Sequence, residues 1–282
     1  MNPCILFSKT LGDLDIPAMC QTARRMGFDG IDLTVRPGGH VDTSDAGDIG
    51  PRIKRAAAII REHGLTVPML TTSVLRGDEP AAEAIFEAAG ALGIALVKLG
   101  YWRYGGFGEF RVVFEQARRD LDSIEALAAR THTTAVIHNH SGADFLTAMP
   151  WTVALLLEGR GRSAMGAYVD AGHLVAEGLA GSWRQGFELL ARRLRVAGAK
   201  SYRFEPHRPE GASQDRFKRT AVAYERGTVP WAEFTDLLDR AGFQGPVSFH
   251  CEYPGDSASQ LTQLEADLAF FRGLRSHATA GR

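Results

Sequence analysis

Residues 247–252 alternate apolar and polar. Val247, Phe249 and Cys251 fall on one side, and Ser248, His250 and Glu252 on the other. Period-two alternation predicts a strand with two unlike faces. Gly245-Pro246 breaks the chain before it. Tyr253-Pro254-Gly255 ends it, because proline restricts the residue before it and glycine supports a turn. Further apolar runs predict strands at 5–7, within 27–41, and at 65–70, 94–100, 133–138, 166–169 and 199–204. Between them the period becomes helical. Helices are expected over 14–26 (stopped by Gly27), 49–63, 78–92, 150–157, 182–194 and 231–241. A long helix carries Phe110, Phe114, Ala117, Leu121, Ile124 and Leu127 at spacings of three and four. The last helix carries Leu261, Leu264, Leu268 and Phe271, and 273–282 reads as a frayed tail.

Eight strands alternating with eight helices, without a linker, predict one closed (β/α)8 barrel over 1–272. The competing open, doubly wound sheet usually shows a glycine-rich loop after its first strand. Here Ser8-Lys9-Thr10-Leu11 follows instead. The excursion 205–230, rich in charge (His207, Arg208, Glu210, Asp215, Arg216, Lys218, Arg219), is expected to cover the barrel mouth or to join a second copy in a homo-oligomer.

Composition narrows the class. A hydrophobic share of 45% over 282 residues supports a large core. The net charge is −1, and arginine pairs such as Arg118-Arg119 sit inside helical patterns, so no nucleic-acid footprint is expected. Cys4, Cys20 and Cys251 have no motif spacing and imply no disulfide framework. No signal peptide or membrane span is evident, and the cytoplasm is the expected compartment.

A barrel gathers its site from the C-terminal ends of its strands. Those ends supply Arg36 and His40, Lys98, His138 and His140, Asp170 and His173, Arg203 and Glu205, and His250 and Glu252. Imidazole and carboxylate donors together suit one divalent ion such as Mn²⁺, Zn²⁺, Mg²⁺ or Co²⁺, with no organic cofactor expected. Strand parity points inward His138 or His140, Asp170, Arg203 or Glu205, and Glu252. His173 joins the ion or a substrate if the chain turns after Asp170. An ordinary helix-capping turn is the alternative there. Tyr101, Trp102, Tyr104 and Phe107 give the mouth aromatic faces for packing against a sugar.

In this order, Leu33 through His40, Asn139-His140-Ser141-Gly142, Asp170-Ala171-Gly172-His173 and Gly245 through Tyr253 resemble the xylose isomerase-like TIM barrels grouped as sugar phosphate isomerases/epimerases. The resemblance runs from Phe7 to about Phe271. It implies one divalent metal held by Glu, Asp, His and Glu from strands five to eight. The second and fourth ligands fall on Asp170 and Glu252, and a substrate-holding histidine falls on His173. The first ligand falls on His138. The third, in a His-x-Lys-Asp segment of strand seven, falls on Arg203, which cannot ligate a metal. Glu205, on the same face, or His140 would replace it, or Arg203 would hold a carboxylate or phosphate of the substrate.

The chemistry so implied is isomerisation or epimerisation of a sugar or polyol derivative by removal of a proton next to a carbonyl. Glu252, His138 and His140 are the acid/base candidates. Arg36, His40, Lys98, Trp102, His173, Arg203 and His250 are the substrate-binding candidates. A lyase or dehydratase starts from the same proton abstraction. A binding barrel without a metal, catalytic or not, is a further alternative. An abasic-site endonuclease fits poorly with the near-neutral charge.

Overall fold

The computed structural model describes residues 2–45, 47–214, 216–255 and 257–280. Its elements in chain order are β1 (Cys4–Phe7), α1 (Ile16–Met26), β2 (Gly30–Val35), α2 (Ile49–Glu62), β3 (Thr66–Thr72), α3 (Ala82–Ala91), β4 (Leu96–Lys98), α4 (Phe110–Arg130) and β5 (Thr134–His138). Then come α5 (Pro150–Leu157), β6 (Met165–Asp170), α6 (Ala171–Glu177), α7 (Trp183–Ala191), β7 (Leu194–Ala199), β8 (Tyr202–His207), β9 (Arg216–Ala221), α8 (Trp231–Arg240), β10 (Val247–Phe249) and α9 (Ser257–Ala280). Among the described residues eight parallel strands close in the order β1-β10-β7-β6-β5-β4-β3-β2. The expected single barrel is therefore the observed fold. Local sequence sets the helix ends. Asp15 caps α1 by accepting from the Ala18 N–H, and Gly27 ends it at φ 92°, a left-handed conformation that costs glycine little.

The barrel interior is layered, as strand parity requires. The lower layer is apolar: Ile5, Met69, Leu96, Val136, Tyr168 and Val196. Two residues further along the same strands stand Phe7, Thr71, Lys98, His138, Asp170 and Gly198. Asp32 from β2 and Ser248 from β10 join this upper layer, where Thr71 Oγ1 and Ser248 Oγ donate to the two Asp32 oxygens at 2.6 and 2.8 Å. Residues of the opposite parity, such as Leu33, Leu70, Ile137, Val169 and Phe249, pack outward against the helices. An apolar plug thus closes the barrel below, and a polar layer opens at the C-terminal ends of the strands.

Three expectations change. The seventh barrel strand is Leu194–Ala199, not 199–204. The stretch after it, Tyr202–His207, alternates like a strand because it pairs antiparallel with Arg216–Ala221 in a hairpin outside the barrel. The helix expected over 182–194 accordingly ends at Ala191. The segment expected to fray from 273 instead continues α9 to Ala280, anchored by buried Arg275, whose Nη2 lies 2.6 Å from Asp239 Oδ1. Asp215 of the charged excursion, and 281–282 of the expected tail, lie outside the described residues. No helix among the described residues is long and apolar enough to cross a membrane.

Candidate active site

β5 ends on His138, and β6 ends on Asp170. Asp170 Oδ1 accepts the His173 N–H at 2.9 Å and so caps α6. That cap turns His173 back over the barrel mouth. The capping turn and the site are therefore the same four residues. His138 Nδ1 pairs with the Tyr101 hydroxyl at 2.7 Å, and His173 Nδ1 pairs with Ser141 Oγ at 2.7 Å. Each ring is thus held by one nitrogen with the other free.

His138 Nε2, Asp170 Oδ2 and His173 Nε2 are buried and have no hydrogen-bond partner among the described residues. Ligand atoms of these three residues lie within 4.8 Å of one another. Leaving buried polar atoms unpaired costs free energy, so three converging on one point mark a place built for a further group. Two imidazoles and a carboxylate are a fitting donor set for a divalent ion, and the paired Nδ1 atoms are the usual outer support of such ligands. Burial first, then the positive charges of neighbouring lysines, pulls both histidines well below the usual imidazole range. They are held neutral, which is the ligating form.

Lys200, just past β7, faces the same oxygen. Its Nζ lies 3.5 Å from Asp170 Oδ2 and 3.5 Å from Glu252 Oε1. Burial alone disfavours the ammonium, but Asp170 and Glu252 outweigh it and hold Lys200 above the usual lysine range. With β7 at Leu194–Ala199, the His-x-Lys-Asp pattern implied for strand seven falls on Gly198-Ala199-Lys200-Ser201. The lysine matches, and the ligand position is a glycine. A Cβ at Gly198 would stand 2.7 Å from Asp170 Oδ2, so the absence of a side chain there lets Asp170 take its place.

The candidates named at positions 203 and 205 do not reach the site. Arg203 and Glu205 are exposed on the β8–β9 hairpin, and Arg203 Nη2 donates to the Arg226 carbonyl at 3.5 Å. The hairpin instead sends Arg219 inward, where it stacks on Tyr202 and donates to Ser141 Oγ. Glu252 is not part of the converging triad. It lines the cavity at its rim, near Lys200 and the Tyr202 hydroxyl. Trp102 lies in the core with its Nε1 on Asp120 Oδ2 at 2.8 Å, while its neighbour Tyr101 lines the cavity.

The remaining candidates do surround the cavity. His140 packs 4.1 Å from the His173 ring and is pulled down to about 4 by burial, then by Lys200. His250 stacks on Phe7 at 4.6 Å and pairs its Nε2 with the Tyr168 hydroxyl at 2.7 Å. Lys98 is buried with its Nζ 3.5 Å above the Tyr101 ring, and Arg36 closes the opposite wall. His40 lines an adjoining cavity with Lys9 and Arg36, tied to Thr34. The sequence reading missed Lys200, Lys9, Phe7, Tyr168 and Ser141. The lysine of the His-x-Lys-Asp pattern was the available signal for Lys200.

A family model described as xylose isomerase-like TIM barrel matches residues 20–274. The chain belongs to this family. Solved structures agree in fold at low identity. A D-psicose 3-epimerase from Clostridium cellulolyticum H10, solved with D-tagatose, superposes with a TM-score of 0.70 at 12% identity, covering 96% of this chain and 99% of that one. A 3-keto-D-glucoside 4-epimerase from E. coli gives 0.65 at 18%, covering 97% and 100%. A xylose isomerase-like TIM barrel protein from Mycobacterium smegmatis, in complex with magnesium, gives 0.66 at 14%, covering 95% and 98%. No curated protein sequence matches the chain significantly.

Proposed function

We propose that this family member isomerises or epimerises a sugar or sugar derivative by moving a proton at the carbon next to a carbonyl, with one divalent ion held by His138, Asp170 and His173. The convergence at the strand ends of these three residues, each with a buried atom that makes no hydrogen bond among the described residues, carries this reading. A divalent ion bound there supplies Lewis acidity toward the carbonyl oxygen. Glu252, at the rim beside Lys200, is the base that takes the proton, and the carboxylic acid so formed returns it; His140, held as a neutral imidazole, is a second base at the cavity. Phe7 and Tyr101 offer ring faces to the sugar C–H bonds. Of the two roles expected of His138, acid/base and ligand, this scheme keeps the ligand. Two similar structures being sugar epimerases supports the class of reaction.

The test is elemental analysis of the untreated protein, followed by deuterium exchange from solvent into keto-sugars with and without Mn²⁺, Zn²⁺, Mg²⁺ and Co²⁺. The expected result is about one ion per chain, with both ion and exchange lost in Asp170→Ala. Protein that stays free of metal at high ion concentration and exchanges no keto-sugar proton refutes the reading.

Lys200 supports a second reading. Its ammonium stands between two carboxylates. It would then supply the positive charge at the carbonyl oxygen without a metal. Exchange that persists in chelator and disappears in Lys200→Met would select this reading over the first.

A further inference from the structure

Opposite the triad the cavity wall changes sign. In the barrel order, β2 faces β6 and β1 faces β5. Arg36, just past β2, therefore stands across from Asp170, and Lys9, just past β1, across from His138. Lys98, at the end of β4, lines the same cavity. Among the described residues, none of these three cations has a carboxylate within ion-pair distance. Arg36 rests over the Phe7 ring at 5.8 Å, and Lys98 Nζ over the Tyr101 ring.

Two nearby carboxylates are otherwise engaged. Asp32 lies below the cavity and acts on both Lys98 and Arg36, but Thr71 and Ser248 already occupy its two oxygens. Glu252, just past β10 and so between the exits of β7 and β1, lines the cavity beside Lys200. Lys98 and Arg36 repel each other, and Lys200 adds to the repulsion. Three basic side chains and Lys200 thus face one opening that a single carboxylate, Glu252, lines, and a bound anion would relieve their repulsion.

The position is built rather than accidental. The turn after β2 is closed by Arg36 N–H to the Val41 carbonyl at 3.1 Å and Gly39 N–H to the Arg36 carbonyl at 2.9 Å. His40 N–H donates to Thr34 Oγ1 at 3.0 Å, and Thr34 Oγ1 in turn pairs with Ser8 Oγ at 3.0 Å. Gly38 supplies the left-handed residue of that turn, at φ 68°. Lys9 and Arg36 also line the adjoining cavity, so they stand at an opening that a ligand can reach.

We propose that Lys9 and Arg36, with Lys98 on the wall between Arg36 and His138, form an anion subsite that holds a carboxylate or phosphate group of the substrate, with the substrate's carbonyl end directed across the barrel toward His138, Asp170 and His173. Arg36 provides the two-pronged donor that such a group prefers and Lys9 a point charge, while Lys98, which burial and then Arg36 pull well below the usual lysine range, is a donor whose ammonium form a bound anion would favour. The role expected of Arg203 thus belongs to a residue on the other side of the barrel. The inference rests on the isomerase/epimerase reading for the uncharged part of the ligand only.

The test compares binding of inorganic phosphate, a ketose phosphate, a keto-aldonate and the neutral ketose to the full chain by calorimetry. The charged ligands are expected to bind at least about tenfold more tightly than the neutral ketose, with phosphate competing against them. The larger of the two gains identifies phosphate or carboxylate as the group held. Arg36→Ala is expected to erase most of that advantage while metal loading, read by elemental analysis, stays in place. Lys9→Ala, an exposed position, gives a second and smaller loss. Equal affinity for charged and neutral ketoses, or an advantage that survives both substitutions, overturns the proposal. Solvent exchange is read separately. An anion preference without exchange upholds the subsite and removes the reaction, and exchange of a neutral ketose without the preference does the reverse.

Discussion

Lys200 Nζ stands 3.5 Å from Asp170 Oδ2, the oxygen that His138 Nε2 approaches at 3.6 Å. A lysine ammonium and a divalent ion therefore compete for one carboxylate. Removing the ammonium leaves Asp170 buried without a counter-charge, a costly state that a metal ion relieves. Lys200→Met is expected to bind Mn²⁺ or Zn²⁺ about tenfold more tightly than the unmodified protein, or about 1.4 kcal/mol. Its melting temperature should fall without metal and recover when metal is added. Calorimetric titration and thermal unfolding check both, and an unchanged or weaker affinity contradicts the competition.

Gly198 is the other half of that arrangement. A Cβ there would lie 2.7 Å from Asp170 Oδ2 and 3.0 Å from both Asp170 Cα and Asp170 Cβ, and that backbone, fixed in β6, cannot readily withdraw. Gly198→Ala is expected to push Asp170 off its position. The cost is about 1–3 kcal/mol of stability, in the range of overpacked cores. Metal affinity should fall with it, because the displaced oxygen is the one shared by His138 and Lys200. Denaturant unfolding and metal titration of the same variant measure the two effects, and a variant with ordinary stability and full metal affinity would show that the strand gap has room to spare.

Most of the fold was legible because barrel strands are short apolar runs set between amphipathic helices. The seventh was not. Leu194–Ala199 follows α7 after two arginines with no glycine or proline to mark the break, so its first residues extend the helical pattern. Tyr202–Glu205 has the cleaner alternation, yet that alternation belongs to a hairpin. The slip moved the strand exit from Lys200 to Arg203 and hid the cation nearest Asp170. The Asp170–His173 pair was legible for the opposite reason, since a capping carboxylate fixes its partner three residues on, whatever the rest of the chain does. Trp102 shows the limit in loops. Tyr101 turns into the cavity and Trp102 into the core against Asp120, and composition cannot say which neighbour goes where.

Asp32 supplies a pH signature. Burial, partly offset by the hydroxyls of Thr71 and Ser248, pushes its carboxyl up to about 6 in the folded protein. The folded state therefore holds the Asp32 proton more tightly than the unfolded chain does. This contribution to stability is complete below the unfolded value near 4 and is lost as pH rises through about 6. Asp32→Asn carries no such charge. Between pH 4 and pH 7 the asparagine variant should gain about 3 kcal/mol relative to the unmodified protein, in the order-of-magnitude sense of a two-unit displacement. Denaturant unfolding of both proteins across that range measures the difference. A constant gap between them would mean that Lys98 and Arg36 keep Asp32 ionised at low pH.

Tyr101 reaches the triad through one atom, the hydroxyl 2.7 Å from His138 Nδ1. Its ring carries a separate load, since Lys98 Nζ rests 3.5 Å from its centre and His140 packs 4.8 Å from it. Tyr101→Phe keeps the ring and removes only the hydroxyl. The buried His138 Nδ1 then loses its partner, and the ring is free to rotate its Nε2 away from Asp170 Oδ2. Outer hydrogen bonds of this kind are worth about 10–100-fold in metal affinity. The phenylalanine variant is therefore expected to lose at least tenfold in affinity for Mn²⁺ or Zn²⁺, with its stability lowered by about 1–3 kcal/mol for the unpaired buried nitrogen. Ser141→Ala, which unpairs His173 Nδ1 in the same way, should give a comparable loss. Metal affinity unchanged in both variants would mean that the two imidazoles are held by packing alone, and that their free nitrogens are not arranged for a metal ion.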